Sequence, residues 1–399
     1  MTETRYDLEN RPVLVRRAGQ TIEETEYDPE GNRRFVTDAN GHVTGFEYDE
    51  RNLLLAENRP LAAITRHTLD DMGDRVATRD PEGRVSTFGY DLRRRLVSET
   101  DPSGATTAYG YDGNGNRTSM TRPEGNGWLY RYDGADRLVE VEDPGGGITA
   151  YGWDRNGNRT AQTDADGHTT AFEYDALDRQ TARVYPDGSR ESYGYDENGN
   201  RTGRTDPKGQ TTSWSYDVLD REVLRTYGVP TDPTGDDLSS VATAYDANGN
   251  PTRITESYTG ATGTRVTERT YDLFDRIETV TDPHGERLVY AYDANGNRTR
   301  LTDPDGQVTT YTFDALNRPT AVTTGAGITE YRYLRDGRLE EILYPNGTTA
   351  TWGYDAVGRT ATIENRLGTT LVSRYAYEYD TNGNRLRQLE TNGGTEEET

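Results

Sequence analysis

The sequence predicts an all-β fold, a continuous antiparallel ribbon of 21-residue β-hairpin repeats that coils into a spiral or a partial hollow shell. Three observations carry this: an aromatic residue or Leu, in most cases followed by Asp, recurs at a fixed step; two turn signals punctuate each step; and side chains alternate with period two between the turns. The step is 21 residues through Tyr6, Tyr27, Tyr48, Leu69, Tyr90, Tyr111, Tyr132, Trp153, Tyr174, Tyr195 and Tyr216. It continues through Tyr245, Tyr271, Tyr292, Phe313, Tyr333, Tyr354 and Tyr379 with steps of 29, 26, 21, 21, 20, 21 and 25, which makes eighteen units over residues 1–390. The longer steps place insertions near 228–241, 259–267 and 365–373, expected as protruding loops, and the Gly/Glu-rich 391–399 reads as a flexible tail.

Within a unit, Asn156-Gly157 after Trp153-Asp154 suits a tight hairpin turn with positive φ. About ten residues on, Asp164-Ala165-Asp166-Gly167 or Asp303-Pro304-Asp305-Gly306 suits a type I turn followed by a bulge. Two turns per unit leave two strands of about six or seven residues. In the strand ending at Tyr174, Phe172 and Tyr174 share one face while Ala171 and Glu173 lie on the other, and aromatic pairs two apart recur in most units. A 42-residue alternation is superimposed: Gly-Asn-Arg turns after Tyr111, Trp153, Tyr195 and Tyr292 alternate with Leu-Asp-Arg turns after Tyr174 and Tyr216. Its expected effect is a periodic change of turn shape that bends the ribbon. Thirty-six strands spaced about 4.8 Å apart span on the order of 170 Å, and twist of about −20 to −25° per strand makes coiling the natural outcome.

Composition agrees. Hydrophobic residues are 31% of the chain, so a Leu/Val/Ile core is not expected, and 28 Tyr take over packing. The structural repeat residues are Tyr27, Tyr48, Tyr90, Tyr111, Tyr132, Trp153, Tyr174, Tyr195, Tyr216, Tyr245, Tyr271, Tyr292, Phe313, Tyr354 and Tyr379. The net charge of −24 argues against phosphate-backbone binding, so nucleic acid is excluded as a partner. Lys208 is the single lysine, so the positive charge is almost all Arg, suited to forked Asp–Arg pairs. With no Cys there is no disulfide or thiolate chemistry, and no stretch has the length of a membrane span or the apolar run of a signal peptide.

No catalytic, metal or cofactor site is expected. His42, His67, His168 and His284 lie in or near turn-and-strand repeat positions without ligand spacing, and read as solvated turn histidines. Asp293-Ala294-Asn295-Gly296-Asn297 starts like a Ca²⁺ loop, yet Arg298 stands where the sharp-turn Gly belongs and Pro304 where the bidentate Glu belongs. Gly145 to Ala150 formally fits a dinucleotide fingerprint but lies at a hairpin turn. The many carboxylates recur because turns recur.

The unit Tyr195-Asp196-Glu197-Asn198-Gly199-Asn200-Arg201-Thr202, followed by Asp206-Pro207-Lys208-Gly209, resembles the YD repeat of Rhs proteins, and the resemblance covers essentially the whole chain. That family includes bacterial polymorphic toxins, insecticidal toxin-complex components, wall-associated proteins and teneurins. The resemblance implies a ribbon wound into a hollow shell, which in the toxins encloses a variable C-terminal toxic domain. It leads to the expectation of a structural scaffold without enzymatic activity or cofactor that encapsulates or presents a toxin or other polypeptide cargo. The implied partners are a C-terminal toxin or cargo domain of a longer polypeptide, or shell-completing repeats. The implied location is secreted or at the cell surface, as part of an exported system. The alternative is a surface recognition module for glycans or a partner protein, with Trp214 and Trp352 as its recognition aromatics. Toxin members usually finish with a self-cleaving DPxG-type motif. Here DPxG recurs at Asp80, Asp101, Asp143, Asp206, Asp232, Asp282 and Asp303, no copy is followed by Leu, and each is explained by a turn. Unpaired strand edges at both ends of the array lead to the expectation that it is part of a longer product.

Overall fold

A chain with a turn every ten residues satisfies its backbone groups most directly by pairing each strand with the next. The computed structural model describes residues 2–228, 237–259, 264–393 and the backbone of 395–398. Thirty-seven strands, from Thr2–Tyr6 to Thr395–Glu398, form one sheet, and there is no helix among the described residues. The pairing is antiparallel between sequence neighbours. Strand Thr169–Tyr174 meets Gln180–Val184 with Ala171 opposite Val184, Phe172 opposite Arg183 and Tyr174 opposite Gln180. The register slips by one residue just before Tyr174, and the same slip precedes Tyr27, Tyr48, Tyr132, Trp153, Tyr195 and Tyr354. Such a bulge bends the strand and increases its twist, so every repeat adds an increment of coiling.

The chain forms two compact units. The first comprises Met1–Tyr109, Thr121–Asn126 and Leu288–Thr399; the second comprises Gly110–Met120 and Gly127–Arg287. The first unit thus joins the two ends of the ribbon.

Both kinds of turn share one backbone form, which differs from the two-residue hairpin expected at Asn-Gly. In turn 154–158 the Asp154 N–H donates to Asn158 O (3.0 Å) and the Gly157 N–H to Asp154 O (3.4 Å); turn 164–168 has the same pair of bonds. Only the fourth residue is left-handed, Gly157 at φ 95° and Gly167 at φ 83°, so each turn is a type I turn closed by a bulge. The 42-residue alternation is therefore not one of turn length or shape. It changes who holds the left-handed position: Gly157 and Gly199 in one class, Asp178 (φ 60°) and Asp220 (φ 58°) in the other. The DPxG copies at Asp80, Asp101, Asp143, Asp206, Asp282 and Asp303 are all such turns, while the copy at Asp232 lies outside the described residues.

The insertion at 365–373 is not a protruding loop: strands Thr360–Leu367 and Thr370–Tyr379 extend the ladder up to a short turn. Around the other two insertions, strands Leu238–Tyr245, Pro251–Tyr258 and Thr264–Tyr271 also lengthen to eight residues. The expected loop tips at 229–236 and 260–263 lie outside the described residues. Residues 391–399 do not begin a free tail, because strand Arg385–Asn392 continues into them and Thr395–Glu398 pairs back on it.

No conventional core forms. The accessible surface is 23678 Å², whereas a compact protein of 44.6 kDa exposes about 15,600 Å². Among the described residues the buried apolar ones are Ala56, Ala63, Phe172, Ala182 and Ala350, and no large side chain is fully buried. The sheet has one aromatic face and one small or polar face. On the latter, a Cβ at Gly353 would press into Thr362 Oγ1 on the next strand, so glycine there sets strand approach next to the bulge.

Gly199 sits at φ 94° in open space, whereas Gly134, also in open space, does not have positive φ. Gly199→Ala is expected to cost about 1 kcal/mol and to lower the thermal midpoint, with Gly134→Ala neutral or slightly stabilising. Thermal denaturation followed by circular dichroism tests this, and equal effects at the two sites would contradict the assignment.

Candidate functional site

The Asp after each aromatic residue organises one edge of the ribbon. Asp175 Oδ1 accepts the N–H groups of Leu177 (2.9 Å) and Arg179 (3.0 Å), and its Oδ2 accepts Arg179 Nε at 2.8 Å. Asp133–Arg137 and Asp217–Arg221 repeat this, so each Arg pairs with the carboxylate of its own turn. The same Arg also reaches forward: Arg137, Arg179 and Arg221 donate Nη1 to the carbonyls of Asp154, Asp196 and Asp246 in the following turn. From the Gly-containing turns the link runs through amides. Asn156 and Asn158 both donate Nδ2 to Asp178 Oδ1 (2.8 and 2.6 Å), and Asn198 and Asn200 do the same to Asp220. Two amides and a left-handed Asp are thus complementary halves of a zipper along the edge. This is the physical meaning of the 42-residue alternation.

The repeat aromatics close the second set of links. Hydroxyls of Tyr27, Tyr90, Tyr132, Tyr174, Tyr195, Tyr216, Tyr245, Tyr271, Tyr354 and Tyr379 donate to main-chain carbonyls of the preceding unit, as Tyr195 does to Gln180 O at 2.7 Å. Trp153 Nε1 does so to Leu138 O at 2.8 Å. Tyr48, Tyr111, Tyr292 and Phe313 stand at equivalent strand ends. Turn arginines stack on these rings, with guanidinium-to-centroid distances of 4.8 Å for Arg179–Tyr195 and 4.1 Å for Arg338–Tyr354. A second ladder stacks Arg201 on Tyr193 (4.4 Å) and Arg159 on Phe172 (4.8 Å). Arginine therefore covers aromatic surface that a second layer covers in an ordinary domain.

In the first unit the two edges of the ribbon meet. Asn40 and Asp38, in turn 38–42, bond Asp293 and Asn295, with Asn40 Nδ2 donating to Asp293 Oδ2 at 3.0 Å and Asn295 Nδ2 to Asp38 Oδ2 at 2.7 Å. Glu82 accepts the Arg335 N–H at 2.8 Å, and Arg84 Nη2 bonds Asp336 Oδ2 at 2.5 Å. Glu124 accepts Thr381 Oγ1 and Asn382 Nδ2 at 3.1 and 3.0 Å. All three pairings join partners 252 to 258 residues apart, and each links a turn to the turn twenty-three strands further on. The ribbon thus returns on itself edge to edge. Sequence reasoning missed these residues, because a turn side chain is identical in type whether it meets solvent or another coil.

Nothing assembles a reaction centre among the described residues. Asp38 and Asp164 bind His42 and His168 within their own turns, at 3.2 and 3.4 Å. His67 departs from the solvated reading: it lies on strand Ala63–Leu69, half-buried, with Nδ1 3.1 Å from Thr78 Oγ1, and burial beside Arg75 lowers its pKa. Asp293, first residue of the Ca²⁺-loop lookalike, spends its oxygens on the N–H and Nδ2 of Asn297 and on Asn40. Among the described residues one grouping of possible metal ligands occurs, Asp164, Asp166 and His168, and all three are exposed. Trp214 and Trp352 are half-buried strand residues facing Arg225 and Ile363.

These contacts make the edge acid-sensitive. The Arg side-chain hydrogen bonds hold Asp133, Asp175 and Asp217 below the usual carboxylate range. A depressed folded-state pKa gives stability that is present above the unfolded value of about 3.9 and is lost as pH falls through the folded one. The thermal midpoint should therefore hold at pH 5–7 and fall steeply below about pH 4; a midpoint unchanged down to pH 2 would contradict the role of the turn carboxylates. Asp336, whose side chain is 8% exposed, neutralises both Arg84 and Arg338. Asp336→Ala leaves Arg338 without its carboxylate and Arg84 with Asp80 alone, and is expected to cost about 2–4 kcal/mol, more than Arg94→Ala at an exposed pair. Thermal midpoints of the two variants make the comparison.

The fold and its edges define a repeat scaffold of the YD type, a structural shell ribbon. The family model for the teneurin YD-shell matches residues 8–227, and the RHS repeat model matches 245–287 and 292–329. The chain belongs to the YD-shell family. Among solved structures it is similar to TcdB2-TccC3-TEV, with TM-score 0.77 and 14% identity over 100% of this chain and 25% of that one. It is also similar to the Tc holotoxin pore of Photorhabdus luminescens (TM-score 0.69, 17% identity, 99% and 26% covered). A third is TcdB2-TccC3 without its hypervariable C-terminal region (0.67, 14%, 100% and 26%). The chain thus spans about a quarter of the length of these proteins. No curated protein sequence matches it.

Proposed function

We propose that this ribbon is wall, or a segment of wall, in an Rhs-type shell that encloses or presents a toxin or another polypeptide, in a secreted or surface-exposed system. The observation that carries the reading is the one-layer sheet, whose surface of 23678 Å² leaves both faces available instead of folding them into a core. A wall lined with Arg-stacked rings, small residues and hydroxyls can hold a chain without offering it a continuous apolar surface that would trap it. The similar structures support the reading, since one is described as a holotoxin pore and another as lacking a hypervariable C-terminal region. The repeat tyrosines then serve as structural links, and no residue acts as a catalyst.

Glycan recognition finds less support, because ring faces open to a sugar are needed and arginines occupy many of them. Trp214→Ala or Trp352→Ala should lower the thermal midpoint without changing binding on a glycan array.

Enclosure is tested by appending an unfolded reporter polypeptide to residue 399 and exposing the fusion to protease. The reporter should resist cleavage while the array is folded and be digested at once after acid or heat unfolding. Digestion as fast as that of the free reporter would overturn enclosure.

A further inference from the structure

We propose that an edge groove floored by Tyr185, Pro186 and Pro207 docks the opposite edge of a second copy of this chain. The starting point is the edge-to-edge seam of the first unit. On one side its turns carry Asn40, Glu82 and Glu124 at the third turn position, 42 residues apart. The same edge and spacing continue in the second unit with Asp166 and Lys208, in turns 164–168 and 206–210. Between them lies turn 185–189, and the three turns line one open groove, with Asp164, His168 and Asp187 on its rim. The groove thus repeats the turn spacing of the seam, with a floor of Tyr and Pro where the seam has amides and carboxylates.

The complementary edge shows what fits there. Leu8, Leu92, Val218 and Leu219 stand at turn tips after the repeat aromatic, with Leu92 at 105% and Val218 at 97% exposure. Leu316 and Val357 hold the third turn position, that of Met72, Leu177 and Leu219, in the stretch 288–399, whose edge meets turns 38–42 and 80–84, and both are half-buried. At that third position the two residues of the docked stretch are half-buried, whereas Met72, Leu177 and Leu219 are 67%, 69% and 66% exposed. An apolar groove on one edge and an unmatched row of apolar tips on the other make a heterologous, head-to-tail contact between copies, which builds rings or open stacks according to whether it closes. Each chain carries a net charge of −24, so repulsion opposes the contact at low ionic strength and salt favours it. This contact is independent of whether the wall encloses a cargo.

Sedimentation velocity of the full chain at about 0.1 M and about 1 M NaCl tests it, since the screening length shortens from roughly 10 to 3 Å over that range. The weight-average mass is expected to rise at least twofold with salt. Pro186→Glu in the groove, and Leu8→Glu with Leu92→Glu on the tips, should each restore the monomer while leaving the circular dichroism spectrum unchanged. An equimolar mixture of the groove variant and the tip variant retains one intact groove and one intact tip row, so it should form a 1:1 dimer that grows no further. A monomer at every salt concentration, association that survives both variants, or a mixture that does not pair would each overturn the proposal.

Discussion

The structure depends on one small constraint, the carboxylate that follows the repeat aromatic. By accepting two main-chain N–H groups, Asp175 fixes the type I turn and its bulge, and by accepting Arg179 it orients the guanidinium that stacks on Tyr195 and reaches the Asp196 carbonyl. One turn therefore positions the ring and the backbone of the next. Repetition of that local link replaces a hydrophobic core, in the manner of arrays whose stability is a sum of nearest-neighbour terms.

This has a consequence for charge. In a globular domain, an excess of acidic residues is spread over the surface and contributes little. Here Asp forms the seams, with Asn along an edge, as in Asn158–Asp178, and with Arg between coils, as in Arg84–Asp336. Exposed pairs are individually weak, but a network whose members share partners holds its geometry collectively. Tyrosine suits the same design because its ring can be half-buried while its hydroxyl reaches the main chain of the preceding unit.

Much of this was legible in the sequence. The repeat step, the two turns per unit, the aromatic pairs and the Asp-capped turn all follow from local residue preference, and the ladder from Tyr6 to Tyr379 runs as the spacing implies. Local preference misled where two conformations suit one dipeptide. Asn156-Gly157 fits a two-residue hairpin as well as the longer bulged turn, and the bulge before the aromatic residue selects the latter. The insertion at 365–373 read as a loop because it interrupts the period, yet the two strands lengthen and stay paired through a bulge between Asn365 and Arg366.

The sequence by itself determined the strand, the turn and the face each side chain takes, because those depend on neighbours within one repeat. Only the tertiary structure decided what the 42-residue alternation is for and where the ribbon meets itself. The first requires seeing Asn156 and Asn158 close on Asp178 in the adjacent turn. The second requires the accumulated twist of twenty-three strands, a sum of small bends that brings Glu82 to Arg335 and that no single repeat encodes.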